Sequence, residues 1–199
     1  MDPSSHVHTL ETEGRPLFGA AKIVLPNFAG VQLDSARMPN LAYLSLGSNV
    51  GDRKHQLCAA IQRLETKGRI VSVSSFYETE PVEFTDQAWF LNCAVALETN
   101  EAPEELLTAI LHIEKEMGRR RVQKKGPRTI DIDILLFGDT VLDSPSLTIP
   151  HPAMHERRFV LQPLAEIAPD MRHPILRKKV WELLDGLPEG QAVRKFQKE

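Results

Sequence analysis

Cysteine is scarce in this 199-residue chain: Cys58 and Cys93 are the two thiols, each inside an apolar run rather than a CxxC pair or a Cys/His cluster. That excludes a disulfide framework and a cysteine-based zinc site, and it predicts two buried, reduced thiols. No run approaches the roughly 20 apolar residues of a membrane span, so no membrane partner is expected. Near the N-terminus, Glu11 and Glu13 fit neither a signal peptide nor a basic transit peptide. The expected compartment is the cytoplasm. GxxxxGKS/T is missing, as is a kinase-type glycine-rich loop, so any nucleotide would be held by side chains and metal rather than by a backbone cradle. Net positive charge is missing too: 24 Lys+Arg against 27 Asp+Glu give a formal charge of -3. Binders of polyanions usually carry a net positive domain, and no nucleic-acid partner is predicted. Internal repeats and low-complexity tracts are absent.

What is present suits one domain with a real core: 42% of residues are hydrophobic and 26% charged. Residues 1–39 read differently from the rest, mixing Pro3, Pro16, Pro26 and Pro39 with short apolar pieces of no sustained period. The preferred reading is a dispensable extension with Met38 as a competent start; the alternative is a regulatory or docking arm. The domain proper is expected over 40–199. Leu41–Leu46 reads as a strand stopped by turn formers from Gly47, and Leu57, Ala60, Ile61 and Leu64 recur at helical spacing until Gly68. Strands follow over 70–77 and 90–97, a helix begins at Pro103-Glu104-Glu105, and a further strand spans 130–137. Beyond lie a hairpin-like stretch, a His-Pro loop, and helices near 157–166 and 180–184. The order β-α-β-β-α-β predicts an α+β, ferredoxin-like fold: a mostly antiparallel sheet with helices packed on one face.

The segment Gly126-Pro127-Arg128-Thr129-Ile130-Asp131-Ile132-Asp133-Ile134-Leu135-Leu136-Phe137 carries the strongest chemical signal. Alternation on a strand puts Ile130, Ile132, Ile134 and Leu136 on one face and both aspartates on the other, about 7 Å apart. Aspartate is a poor strand former and like charges on one face repel, so something positive should compensate. Oxygen-only ligands at this spacing suit Mg²⁺, which is usually held by one or two carboxylates plus substrate phosphates. A solvated acid pair is the bland alternative. The preceding loop, 119–128, is dense in Arg and Lys, which match phosphate oxygens as forks and point charges. Such a cluster neutralises a triphosphate, although charge alone also fits a solvated loop. Asn92 is polar on a strand that is otherwise apolar, and its mixed donor and acceptor groups suit the edge of a flat heterocycle. Phe90 points the same way. A structural Asn bridging backbone fits equally well. In Pro150-His151-Pro152-Ala153-Met154-His155-Glu156-Arg157-Arg158-Phe159, the two histidines lack a third zinc ligand. His151 and Arg157 fit phosphate contacts better, with Phe159 as an aromatic wall.

Taken in order and spacing, Leu46-Gly47-Ser48-Asn49-Val50-Gly51-Asp52, Tyr77-Glu78-Thr79-Glu80-Pro81, Phe90-Leu91-Asn92, Gly126 through Asp133 and Pro150 through Phe159 resemble the hydroxymethyldihydropterin pyrophosphokinases. The resemblance covers about residues 40–175 and is most specific in the GPRTIDIDIL segment. It implies a ferredoxin-like fold, ATP as co-substrate, and two Mg²⁺ ions shared by Asp131 and Asp133. It implies ATP contacts from Glu114, Arg119, Arg121, Lys124, Ile134, Thr148, His151 and Arg157. The pterin would lie between Phe90 and Phe159, its edge read by Asn92, Thr79 and the Pro81-Val82 backbone. Arg119, Arg121 and Arg128, with the two aspartates, would form the catalytic set. The chain departs from the resemblance at Lys125, where many members carry an aromatic residue, and at Ser146, where some carry arginine. The implied reaction moves diphosphate from ATP to a pterin alcohol in folate biosynthesis. A monomer is expected, with contact to neighbouring folate-pathway enzymes left open. A metal-dependent phosphohydrolase and a non-catalytic polyanion binder are the rival classes: the first needs no Phe90/Asn92/Phe159 pocket, the second no Mg²⁺.

Overall fold

Along the chain run strand β1 (Asn40–Ser48), helix α1 (Arg53–Leu64), β2 (Arg69–Val73), β3 (Tyr77–Thr79), β4 (Phe90–Thr99) and α2 (Pro103–Glu116). Then come β5 (Asp131–Phe137), the two-residue strands β6 (Leu142–Asp143) and β7 (Thr148–Ile149), α3 (Arg158–Ile167), α4 (Val180–Asp185) and β8 (Val193–Lys195). The computed structural model describes residues 39–81, 87–119 and 126–197, all within the unit Arg37–Glu199. Expectations for residues 1–38, for Val82, and for Arg121, Lys124 and Lys125 in the basic loop lie outside the described residues.

The main sheet has the order β5-β1-β4-β3-β8, with β2 also paired to β4, and each pairing is antiparallel. With β2 and β3 counted as one strand interrupted at Ser74–Phe76, this is the strand order of a split βαβ, the predicted ferredoxin-like class. β1 runs past the predicted stop at Gly47 because it is hydrogen-bonded on both edges, to β4 and β5, as far as Ser48 and Gly47 respectively. A ladder on both sides outweighs glycine's weak strand preference. Helix α1 starts where Asp52 accepts from the His55 N–H at 2.9 Å, and α2 where the Glu105 carboxylate accepts from Ala102 N at 2.7 Å.

Helices cover both faces of the sheet, not the one face the sequence predicts. On the first face, Leu57, Ala60 and Leu64 of α1 and Leu106, Ile110 and Ile113 of α2 pack on Leu44, Leu46, Cys93, Val95, Ile132 and Ile134. On the second, Val160, Leu161 and Leu164 of α3 and Val180 and Leu183 of α4 pack on Tyr43, Ala94, Ala96, Leu135 and Leu136. The two alanines hide this second core from a reading based on large apolar residues; their small side chains let a helix approach the sheet closely.

Leu136 also departs from the predicted alternation. The β1–β5 register pairs Leu44 with Ile134 and Tyr43 with Leu136, leaving Leu135 as an extra residue. This bulge puts Leu135 and Leu136 together on the second face and returns Phe137 to the first. Asp131 and Asp133 lie before the bulge and keep the expected alternation. Cys93 is buried as predicted, whereas Cys58 is exposed, because it falls on the outer side of α1 away from Leu57 and Leu64.

Candidate active site

The second face of the sheet is also the floor of a cleft. Antiparallel register aligns Asp131, Gly47, Asn92 and Tyr77 across β5, β1, β4 and β3, and Asp133, Ser45 and Ala94 one row further along. Helix α3 covers Ala94 and Ala96, while the polar ends of these rows open into the cleft. Its lining comprises Ser45, Gly47, Thr79, Glu80, Pro81, Gln87, Phe90, Asn92, Arg128, Asp131, Asp133, Arg157 and Phe159.

One end of the cleft is charged. Arg119 reaches Asp131 at 2.5 Å and also pairs with Glu114, while Arg128 pairs with the other oxygen of Asp131. Glu114 is 2% exposed and accepts from the Ile132 backbone N–H at 2.8 Å, so it ties α2 to β5 while it orients Arg119. Among the described residues no cation pairs directly with Asp133. Burial, and then the charge of Asp131, push its carboxyl up to about 6, while Arg157 and Arg128 pull it the other way. Two half-buried carboxylates on one face, one of them without an ion pair among the described residues, fit a hard divalent cation. Mg²⁺ is usually held by one or two carboxylates, its remaining positions going to water and phosphate oxygens, and Asp131 and Asp133 could supply that number.

The other end is aromatic and amide-edged. Asn92 is buried and donates from Nδ2 to Thr79 Oγ1 at 2.7 Å. Its carbonyl lies over Gly47, where a Cβ would come within 2.5 Å of Oδ1, so the missing side chain of Gly47 makes room for the amide. Phe90 and Phe159 line the cleft from β4 and from the start of α3. The Arg157 guanidinium sits 5.7 Å from the Phe159 ring centroid, joining the aromatic and charged ends.

Asn49 links the segments on either side. Its Oδ1 accepts from Arg128 N at 2.7 Å, and its Nδ2 donates to Gln87 Oε1 at 3.0 Å and to the Ala88 carbonyl at 3.2 Å. As part of a Gly/Ser/Asn turn it carried little signal in the sequence.

The cleft thus brings together Arg128, Asp131, Asp133, Arg157, Thr79, Pro81, Phe90, Asn92 and Phe159 from the sequence-derived set, with Arg119 bonded to Asp131. Four others do not line it. Ile134 is buried in the first core, and Glu114 is spent on Arg119 and Ile132. Thr148 bonds Asp143 at 3.2 Å. His151 accepts from Ala153 N at 3.2 Å, and burial, with the Arg157 charge behind it, holds its imidazole below the usual histidine range. Ser45, Gly47, Glu80 and Gln87 line the cleft without having been singled out as site residues. Ser45 and Gly47 are two residues apart on β1, and only the register reveals that their face is the aspartates' face.

Residues 43–169 match the family model described as 7,8-dihydro-6-hydroxymethylpterin-pyrophosphokinase (HPPK). The chain is 44% identical over 161 residues to the Bacillus subtilis 2-amino-4-hydroxy-6-hydroxymethyldihydropteridine pyrophosphokinase, covering 76% of this chain and 96% of that protein. It is 48% identical over 134 residues to the Pseudomonas aeruginosa protein of the same name, covering 66% and 83%. Against the Schizosaccharomyces pombe folic acid synthesis protein fol1, identity is 46% over 158 residues, 78% of this chain but only 21% of the relative. The chain therefore spans about a fifth of that longer protein. The Plasmodium falciparum HPPK-DHPS wild-type crystal structure with STZ-DHP superposes with a TM-score of 0.60 at 18% identity, over 76% of this chain and 44% of that one, which supports the fold.

Proposed function

This chain belongs to the 7,8-dihydro-6-hydroxymethylpterin-pyrophosphokinase family, and on that premise we propose that it transfers diphosphate from ATP to 6-hydroxymethyl-7,8-dihydropterin, giving the pterin diphosphate and AMP in folate biosynthesis. The observation that carries this reading is the union, in one cleft, of a carboxylate–arginine corner with an aromatic, amide-edged slot. A phosphohydrolase needs only the first. A polyanion binder needs neither the paired acids nor the slot.

Asp131 and Asp133 would hold the magnesium, two ions on this reading, which when bound neutralises and polarises the triphosphate. The chain's own residues do the rest. Phe90 and Phe159 sandwich the flat pterin ring, and the Asn92 amide with the Thr79 hydroxyl fixes its edge, which aims the hydroxymethyl oxygen toward the acid corner. Arg128, Arg157 and Arg119 face the phosphates as charge develops during transfer. The pterin oxygen forms a bond to the β-phosphorus as the bond from that phosphorus to the α,β-bridging oxygen breaks. AMP leaves with the electron pair, and the hydroxyl proton passes to solvent. Holding both reactants in line supplies most of what phosphoryl transfer requires. Among the described residues no helix is long and apolar enough to cross a membrane.

The test is nucleotide analysis after incubation with Mg²⁺ and ATP, with and without the pterin alcohol. AMP should accumulate only when all three are present. Nucleotide hydrolysis that ignores the pterin would replace this reading with the phosphohydrolase.

A further inference from the structure

The walls of the slot are joined from outside the cleft. Gln191 belongs to the C-terminal segment, beyond the residues matched by the family model. Its Oε1 accepts from the Phe159 backbone N–H at 3.2 Å, and its Nε2 donates to the Glu80 carbonyl at 3.1 Å. Phe159 and Glu80 stand on different walls of the cleft, the first opening α3 and the second following β3. The Phe159 N–H can only donate and the Glu80 carbonyl can only accept, so one orientation of the amide satisfies both.

Neither bond is incidental. The N-cap of α3 is Arg157, which makes no side-chain capping bond, so the cap leaves the first-turn N–H of Phe159 without an acceptor. Gln191 supplies from a distant segment the acceptor that a capping residue usually provides. Its own position is held firmly. β8 pairs with β3, Glu80 N donates to the Ala192 carbonyl at 3.1 Å, and Phe196 N donates to the Phe76 carbonyl at 2.8 Å. Arg194 adds a bond to Glu78 at 2.8 Å and lies 4.8 Å from the Trp89 ring centroid.

We propose that Gln191 is a positioning residue that sets the width of the pterin slot by tying the Phe159 wall to the Glu80–Pro81 wall. It acts through those walls and touches neither aspartate. The inference rests on reading the slot as the pterin site. The slot holds a flat ring only if its walls keep a fixed separation, and a side-chain amide bonded to both fixes that separation without occupying it.

The experiment uses the full chain carrying Gln191→Ala or Gln191→Glu, with calorimetric titration of 6-hydroxymethylpterin and, separately, of a non-hydrolysable ATP analogue with Mg²⁺. Gln191→Ala should raise the pterin Kd and KM about three- to tenfold, the size expected from losing one or two neutral hydrogen bonds. The analogue Kd and kcat should stay within about twofold, since nothing at the acid corner changes. Gln191→Glu keeps an acceptor for Phe159 N but loses the donor to Glu80, and should fall between Gln191→Ala and wild type. Unchanged pterin affinity in both variants overturns the proposal. So does a parallel loss for both ligands with a lowered melting temperature, which would mark Gln191 as merely structural. If the wild-type chain itself fails to bind the pterin, the reading of the slot falls first and this inference with it.

Discussion

Asp133→Asn is expected to cut turnover by about a thousandfold or more while leaving the melting temperature unchanged or raised. The two halves of this result have one origin. Asp133 is half-buried beside Asp131, and desolvation and that neighbouring charge both raise its pKa, so its negative charge is a liability in the folded protein without a cation. Asparagine keeps the shape and removes the repulsion. It also removes the anionic oxygen that would hold magnesium, and with it the neutralisation of the triphosphate. Asp131→Asn should lose turnover as fully but behave differently in unfolding. Arg119 and Arg128 both pair with that carboxylate, and its loss leaves two partly buried guanidinium groups short of a partner. A destabilisation of about 1–3 kcal/mol follows, discounted for the solvent that still reaches the arginines. Urea denaturation and steady-state rates on both variants check this. Near-normal turnover in either would reduce the pair to surface acids.

The second large effect separates the two ligands. Asn92→Ala removes a buried amide that bonds Thr79 and, in the proposed function, reads the pterin edge, and should weaken pterin binding by about 1–3 kcal/mol, or about five- to 150-fold. Phe159→Ala removes one aromatic wall, worth about 0.5–1.5 kcal/mol of stacking beyond the area it buries. Asn92→Ala leaves Arg119, Arg128, Arg157 and the aspartates as they are, so binding of an ATP analogue should change little. Phe159→Ala also removes the ring beside the Arg157 guanidinium, so its loss for the analogue should be small but measurable, and well below its loss for the pterin. Equal losses for both ligands would show that these residues support the core rather than read a substrate.

Much of the acid corner was legible because strand alternation is local. Ile130-Asp131-Ile132-Asp133 declares its two faces from four residues, and the neighbouring arginines declare the compensating charge. Phe90 and Asn92 were legible for the same reason, as like-facing positions on an apolar strand. The second core was not: Ala94 and Ala96 look featureless until α3 lies on them, and the β5 bulge that sends Leu136 to that face is set by pairing with β1. Ser45 and Gly47 belong to the site through register alone. Gln191 lies 111 residues from Glu80 and 32 from Phe159, and no periodicity or motif connects such positions. Pairings of this kind depend on tertiary geometry, in the way that Glu114 turned out to hold Arg119 and the Ile132 N–H rather than line the cleft.

If the diphosphate moves as one unit onto the pterin, phosphorus NMR of a completed reaction mixture will register both products. With Mg²⁺, ATP and 6-hydroxymethyl-7,8-dihydropterin, the spectrum should show AMP and a pterin carrying two linked phosphates in equal amounts, formed only when all three components are present. ADP with a pterin monophosphate, or free phosphate or pyrophosphate released while the pterin stays unmodified, would rule out diphosphate transfer.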